Sequence, residues 1–413
     1  ISDGIDGNIV GQEPLLDVLK DNGGLTETHL LLEGSPAINT GANPLALTND
    51  QRGAGFPREI GSVDMGAVET DTGLAPGTWQ VDSTDDENDG NFSSGNLSLR
   101  EAITNAPGGA AITFDPAVFT DPAAGTITLA LGELTINKPL AIDGDHRVTI
   151  DAGGASRIFS INDQTSTATA VQLSGLVLTG GAADNGAAIW NAEQLSLSAM
   201  TLTGNSVTGN GGAIYNSSAS SSIAGASILL QNSTLESNAA SSGGGIFNAN
   251  GVTVTISDTT FSGNSASNGG AIHNSYGTAS VSGSTFAGNS VNSIGGAIHS
   301  DHAATTLTNC TLSGNTSNNA GGAIYANDST LSVRNSTIAY NRASNQGGGI
   351  SFDWGTLNIT STIVGYNAAG SNQDIRTYGV TTNADHTLVA LAAGHGISDG
   401  IDGNIVGQEP LLD

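Results

Sequence analysis

Aromatic rings recur at one phase of this chain. Trp190, Tyr215, Phe247, His273, His299 and Tyr325 each directly follow an Ile of a repeated motif. A column of rings at such spacing could stack on sugars, bridge neighbouring molecules, or pack under a loop such as 217–222. His273 and His299 could share a metal, but the column supplies no third ligand. Three residues after the same Ile, Asp301, Asn327 and Asp353 form a second column with Asp328 beside it. Carboxylates two coils apart would be separated by about 9.6 Å, which suits an inverting hydrolase. Asp and Asn also cap turns throughout proteins, and that is the preferred reading, so no catalytic residue is assigned. A lyase needs a basic proton abstractor, and no Lys or Arg occurs between Ile158 and Val333.

A third cluster is the acidic loop Asp82, Asp85, Asp86, Glu87 and Asp89. Read as an EF-hand it places Glu at the third position and Asn96 at the twelfth, so that pattern fails. A looser calcium site formed by Asp82, Asp85, Asp86 and Asp89 remains as an expectation, with a solvated acidic turn as the alternative. The same ambiguity attends DGIDGN at 3–8 and again at 399–404. Calcium is the one cofactor considered.

The elements that must position these residues show in the spacing. GGAIYN (211–216), GGGIFN (243–248), GGAIHN (269–274), GGAIHS (295–300), GGAIYA (321–326) and GGGISF (347–352) repeat, in the last four steps at 26 residues. A second marker keeps phase: LTGN (202–205), LESN (235–238), FSGN (261–264), FAGN (286–289) and LSGN (312–315). Helical repeats need about 33 residues with a 3.6-residue apolar period, which is absent. The expected fold is all-β, a right-handed parallel β-helix of about 26 residues per coil. Alternating apolar residues fill a thin core, and Gly pairs supply turns with positive φ. Asn at fixed offsets can hydrogen-bond to its copy one coil away. LSLREAITNA (97–106), with Ser98 and Glu101 at capping-box spacing, predicts a short capping helix over one end. Cys310, the only cysteine, is expected as a small buried apolar residue, and it excludes a disulfide framework.

Residues 1–17 and 397–413 both read ISDGIDGNIVGQEPLLD, an exact repeat at an offset of 396. The expected organisation is a window on a tandem array. Residues 1–74 would hold the closing coils and cap of a preceding unit, 75–118 the junction and N-terminal capping segment, and 119–413 the coils. Arg52 and Arg58, with Asp50, Glu59 and Asp64, are expected to lock the closing cap by ion pairs. Partners would be adjacent copies head to tail, and beyond them neighbouring fibres or surface glycans.

Composition narrows the classes further. With 10 Lys plus Arg against 38 Asp plus Glu and a formal charge of −28, clustered cations for nucleic-acid phosphates are missing. No apolar run approaches the length of a membrane helix, so no membrane insertion is expected in this segment.

VDSTDDENDGNFSSGNLSLREAI (81–103) resembles the CSLREA domain, with Leu97 where that motif has Cys. NIVGQEPLLDVLKDNGGLTETHLLLEGSPAINTG (8–41) and DQRGAGFPREIGSVDMGAVE (50–69) resemble the closing block of choice-of-anchor Q domain proteins. The GGAI and FxxN motifs are similar to polymorphic outer-membrane protein repeats. These resemblances imply a secreted or surface-displayed bacterial β-helix with an adhesive or matrix role. The expected function is thus a non-enzymatic extracellular fibre, stalk or adhesin scaffold. A glycan-binding module and a β-helix polysaccharide hydrolase are the alternatives.

Overall fold

The protein is described by a computed structural model. It describes residues 9–16, 28–29, 31–32, 35–38, 40–43, 47–53, 58, 63, 65–68, 78–165, 168–218, 226–391 and 394–412. From Thr78 onward the chain winds into a parallel β-solenoid of about ten turns, in which 29 short strands join one continuous sheet.

Each coil has three main faces. The first carries the Ile of the GGAI motif and runs in register from Leu134 through Phe159, Ile189, Ile214, Ile246, Ile272, Ile298, Ile324 and Ile350 to Ile375. The second is the five-residue strand typified by Thr253–Ser257, where Val254 and Ile256 are buried and Thr253 and Thr255 exposed. The third is a three-residue strand such as Thr260–Ser262, whose central Phe261 stacks on Phe286 of the next coil at 4.9 Å. A short fourth strand, Ser265–Asn268 in one coil, leads back to the Gly pair. Period-two alternation turns one side of every strand inward, and stacking the coils makes one long core from side chains that no single coil could bury.

The corners carry backbone in the left-handed region. At the Gly-Gly corner the requirement is steric: a Cβ on Gly295 would meet the Ile298 carbonyl at 2.4 Å, and one on Gly296 would meet Gly322 O at 2.0 Å. Only glycine fits both places.

Two columns of Asn run inside the solenoid. In the longer, the Nδ2 of Asn205, Asn238, Asn264, Asn289, Asn315 and Asn341 each donates to Oδ1 of the next member one coil on, at 2.8–3.0 Å. The same Oδ1 also accepts the backbone N–H of the preceding Asn, as Asn289 Oδ1 does from Asn264 N at 3.0 Å. The second Nδ2 proton goes to a core-strand carbonyl, such as Phe261 O for Asn289. The column ends on Asp374, whose Oδ1 accepts from Asn367 Nδ2 at 3.0 Å and whose Oδ2 accepts from Leu391 N. A shorter column joins Asn191, Asn216, Asn248 and Asn274, then passes to Thr305 Oγ1. The expected Asn pairing between coils is present.

Cys310 is buried, as expected, but its column is a hydroxyl ladder rather than an apolar one. Its Sγ contacts Thr308 O at 3.4 Å, as Ser284 and Ser336 Oγ bond the carbonyl two residues back, and its N–H donates to Ser336 Oγ. Burial pushes its thiol pKa up.

The coils begin earlier than the boundary expected at 119, because Thr78–Val81 and Ala110–Phe114 already pair in parallel. Between these two strands the chain makes an excursion, and helix α1 (Leu99–Asn105) forms there with the predicted capping box of Ser98 and Glu101. Its Leu99, Ala102 and Ile103 join the solenoid core, closing the N-terminal end. In the preceding segment, Leu16 bridges Leu31 antiparallel, and Arg52 makes two bonds to the buried Asp50 Oδ2 at 3.0 and 2.7 Å. Arg58 donates to Gly66 O, while Glu59 and Asp64 lie outside the described residues, as do residues 1–8 and 69–77. Among the described residues no helix is long and apolar enough to cross a membrane.

Replacing Asn289 by Ala leaves Asn264 Nδ2 and N–H, Asn315 Oδ1 and Phe261 O without their buried partner. The expected cost is about 4 kcal/mol, read as a loss of thermal stability. An unchanged melting temperature would show that the column carries no stability.

Candidate functional site

Two shallow hollows have volumes of about 100 and 250 Å³, below the usual range of ligand pockets. The first lies beside Asp143 and Ser174, the second beside Phe114, Asp145 and Arg147, and no ring of the aromatic column lines either.

The rings stand one per coil, in register along the first face. Tyr215 stacks on Phe247 at 5.5 Å and 17°, Phe247 meets His273 at 4.9 Å, His273 meets His299 at 4.3 Å, and His299 meets Tyr325 at 5.5 Å. Trp190 lies instead under the guanidinium of Arg157, 5.9 Å away. Only the Tyr215–Phe247 pair is parallel-stacked; Phe247 and His273 meet edge to face, and the two contacts that follow are tilted by 41° and 55°. His273 and His299 are buried, at 8% and 7% exposure. Among the described residues neither ring nitrogen of His273, nor Nδ1 of His299, has a hydrogen-bond partner.

Burial disfavours the imidazolium form, so the His273 pKa falls to about 3, with the neighbouring His299 adding to the shift and Asp301 opposing it. The His299 pKa falls to about 4, again through burial, opposed by Asp301. Among the described residues no group of three or more His, Cys, Asp or Glu side chains gathers as metal ligands do.

The second column is a network of side-chain bonds. Asp301 Oδ1 accepts from Asn327 Nδ2 at 3.0 Å and contacts His302 Nδ1 at 2.8 Å. Asp353 accepts the Tyr325 hydroxyl at 2.7 Å and pairs with Arg376. Burial raises the Tyr325 hydroxyl out of its ordinary range, and the bond to Asp353 adds to this.

Sequence reasoning named Asp328 but missed its companions one step further on, at the corner between the first and second faces. Tyr276, His302, Asp328 and Trp354 occupy this corner in successive coils, all with positive φ, and Tyr378 lies beside Gly379 in the next. A bulky residue at positive φ leaves no compositional mark, so the only available signal was the constant offset of four from the Ile.

The acidic loop turns inward to protein donors. Asp82 accepts the N–H groups of Gly95 and Leu97 at 2.6 and 2.8 Å. Asp86 makes two bonds to Arg100 and accepts from Ala130 and Leu131. Burial alone would raise the Asp86 pKa, but Arg100 and the two amides outweigh it and hold the carboxyl below its ordinary value. Asp85 N–H donates to Ser83 Oγ, so Ser83 caps that turn, and Asp89 Oδ1 accepts from Asn91 N, capping its own. In the 399–404 copy, Asp399 accepts from Val406 N and Asp402 O accepts from His386 N.

Comparison with known proteins fits this geometry. The family model "Chlamydia polymorphic membrane protein (Chlamydia_PMP) repeat" matches residues 199–217, 258–275, 283–301 and 309–327. No curated protein matches the chain. A solved structure titled "Rhamnogalacturonan lyase" is similar at 10% identity and a TM-score of 0.35, covering 75% of this chain and 87% of that one. So loose a likeness carries no argument about chemistry.

The buried imidazoles fix a pH dependence. Unfolded histidine takes up a proton near pH 6.5, whereas His273 and His299 resist until about 3 and 4. Their contribution is therefore complete above pH 6.5 and is lost as pH falls from there toward 4, by an amount on the order of a few kcal/mol. Melting temperatures of a His273→Phe, His299→Phe double variant should fall less over that window than those of the parent; parallel curves would refute the assignment. The matched coils, with their GGAI corners and stacked Asn, are similar to polymorphic membrane protein repeats.

Proposed function

We propose that this chain is a tandem-repeat structural module of a bacterial surface or matrix protein. Its coils form a rigid scaffold with no catalytic role, and successive units dock head to tail. The observation that carries the reading is the exact repeat of residues 1–17 at 397–413, whose described parts, 9–16 and 397–412, lie in two different surroundings.

The later copy lies against the last coils. Ile405 and Val406 extend the third face beyond Leu388 and Val389, Asn404 Oδ1 accepts from Thr387 N, and Tyr340 Oη bonds Leu412 O. The earlier copy meets the segment that follows it: Leu15 O accepts from Leu32 N, Pro14 O from Ser35 Oγ, and Leu16 bridges Leu31. Leu411 is 85% exposed, while its equivalent Leu15 is 42% exposed beside the closing segment. Each copy therefore has part of the contacts that an intact unit would give it.

The end of the coil stack calls for the same complement. Strand Ile375–Asp385 pairs on one side with Ile350–Thr360, and among the described residues no strand pairs with its other edge. At inward positions Thr382 and Ala384 replace Leu357 and Ile359, and both are half-buried. An open parallel edge over a thinning core is a surface that needs covering. The segment equivalent to 18–74 would supply the cover, with the buried Arg52–Asp50 pair stiffening it.

Display at a bacterial surface is supported by the polymorphic membrane protein repeat matches. The likeness of 81–103 to CSLREA domains and of 8–69 to choice-of-anchor Q blocks supports the same placement. The absence of catalysis is supported by Asp301 and Asp353 being held in side-chain networks, with Asp353 paired to Arg376.

The test is a chain extended beyond Asp413 by residues 18–74. Amide exchange across Ile375–Asp385 should slow, and electron microscopy of two or more joined units should show continuous rods. Unchanged exchange, with the added segment cleaved readily by protease, would overturn the reading.

A further inference from the structure

The two copies of the 17-residue repeat share an unusual backbone. Leu15 and Leu411 are equivalent, and both are left-handed, with φ of 48° and 50°. The equivalent glycines Gly11 and Gly407 also agree, at 77° and 80°. A leucine is crowded at its Cβ in that region and gains nothing locally from being there. One shape held in two different surroundings belongs to the segment itself, and each surrounding is then a partial fit to it.

The later surrounding is a seat on the third face of the last coils. Tyr340 and Tyr366 stack there at 5.3 Å and 14°. In register with them, Gly263, Gly288 and Gly314 hold the same corner in preceding coils, and a Cβ on Gly288 would meet nothing within 4 Å. The tyrosines keep the positive φ of those glycines, at 60° and 59°, although it suits glycine far better. What they gain is the repeated segment. Tyr340 Oη donates to Leu412 O at 3.3 Å, and the Glu409 side chain and Leu411 backbone lie at the Tyr366 hydroxyl. A Cβ on Gly365 would meet Pro410 Cγ at 2.9 Å. Ala339 and Gly365, on the outer side of their strands, are buried, whereas Ser262, Ala287 and Ser313 at the same position are partly exposed.

The earlier surrounding is a returning segment. Leu15 O accepts from Leu32 N at 2.7 Å, Pro14 O accepts from Ser35 Oγ at 2.6 Å, and Leu16 bridges the buried Leu31. These bonds occupy the carbonyls of Pro14 and Leu15, while Tyr340 takes that of Leu412, the equivalent of Leu16. The two sets of partners do not compete. Leu411, 85% exposed on the seat, leaves that side of the segment open to the return.

We propose that the third face of the last two coils, marked by Tyr340 and Tyr366, is the docking seat of the closing block. In a joined array, residues 410–412 lie between the two tyrosines and the returning segment that follows, equivalent to Leu31, Leu32 and Ser35. The inference rests on the array reading and gives it a second anchor: the block is held on the side of the solenoid as well as over its open end. The tyrosines also set its axial position. The glycines of the preceding coils offer neither ring nor hydroxyl, so the block cannot seat itself further down the axis.

The test uses the chain extended beyond Asp413 by residues 18–74, which carries the returning segment twice, with the tyrosine seat preceding only the added copy. Glu27→Asp in that copy gives its peptides their own mass. In hydrogen exchange the added segment should exchange about tenfold or more slowly than residues 31–35. Tyr340→Gly combined with Tyr366→Gly should abolish the difference and leave residues 31–35 unchanged. Glycine is what the preceding coils use, and thermal unfolding confirms that the variant folds; should it unfold, Tyr340→Phe, which loses only the bond to Leu412 O, decides by the same comparison. Equal exchange of the two copies in the parent, or a difference that survives the tyrosine replacements, would overturn the proposal. If exchange across Ile375–Asp385 is slowed all the same, the array reading stands without the seat. Protection that grows with protein concentration would put the returning segment on the seat of another molecule, and would likewise overturn the arrangement.

Discussion

Everything in this solenoid depends on the buried amide column from Asn205 to Asn367. A thin parallel stack cannot hold its register by apolar contacts alone, because Leu, Ile, Val and Phe replace one another along each face with little preference for one axial position. A side-chain amide carries two donors and one acceptor oxygen, and from Asn238 to Asn367 each oxygen takes two protons from the Asn of the coil before, as Asn264 and Asn289 do, while both amide protons are used. A coil slipped by a single residue would bury several unpartnered polar atoms, a cost far greater than any apolar mismatch. The amides therefore fix where each coil sits, and the apolar faces then supply the bulk of the stability.

The same logic explains which parts were legible in the sequence. The column Asn appear as the final letter of LTGN, LESN, FSGN, FAGN and LSGN, and the steric demand at Gly295 and Gly296 appears as the Gly-Gly of GGAI. Features enforced by every coil recur as letters. Ser98 and Glu101 were legible for a local reason, since a capping box is defined by spacing within one turn.

What stayed hidden depended on partners distant in sequence. The carboxylates of Asp82 and Asp86 show in the sequence as charges, but the backbone amides of Gly95, Leu97, Ala130 and Leu131 that they accept from do not. The ring column was legible as a column, yet whether its faces would be free depended on ring tilt and spacing across coils. The corner at Tyr276, His302, Asp328 and Trp354 was obscured because no residue type repeats there; only the backbone conformation does. Cys310 read as apolar because one thiol in a line of hydroxyls has no local signature.

The amide column also has a direction. Every member donates toward the C-terminal coils, so its last member must accept and need not donate, and Asp374 meets that condition where Ala297, Ala323 and Gly349 stand in earlier coils. A carboxylate in that place acts as a terminator. Whole coils inserted or removed anywhere between Asn205 and Asn367 would leave both the starting contacts and the terminator intact. Length is thus a free variable of this architecture: a lineage could lengthen or shorten the rod by copying single coils, with the two ends inherited unchanged.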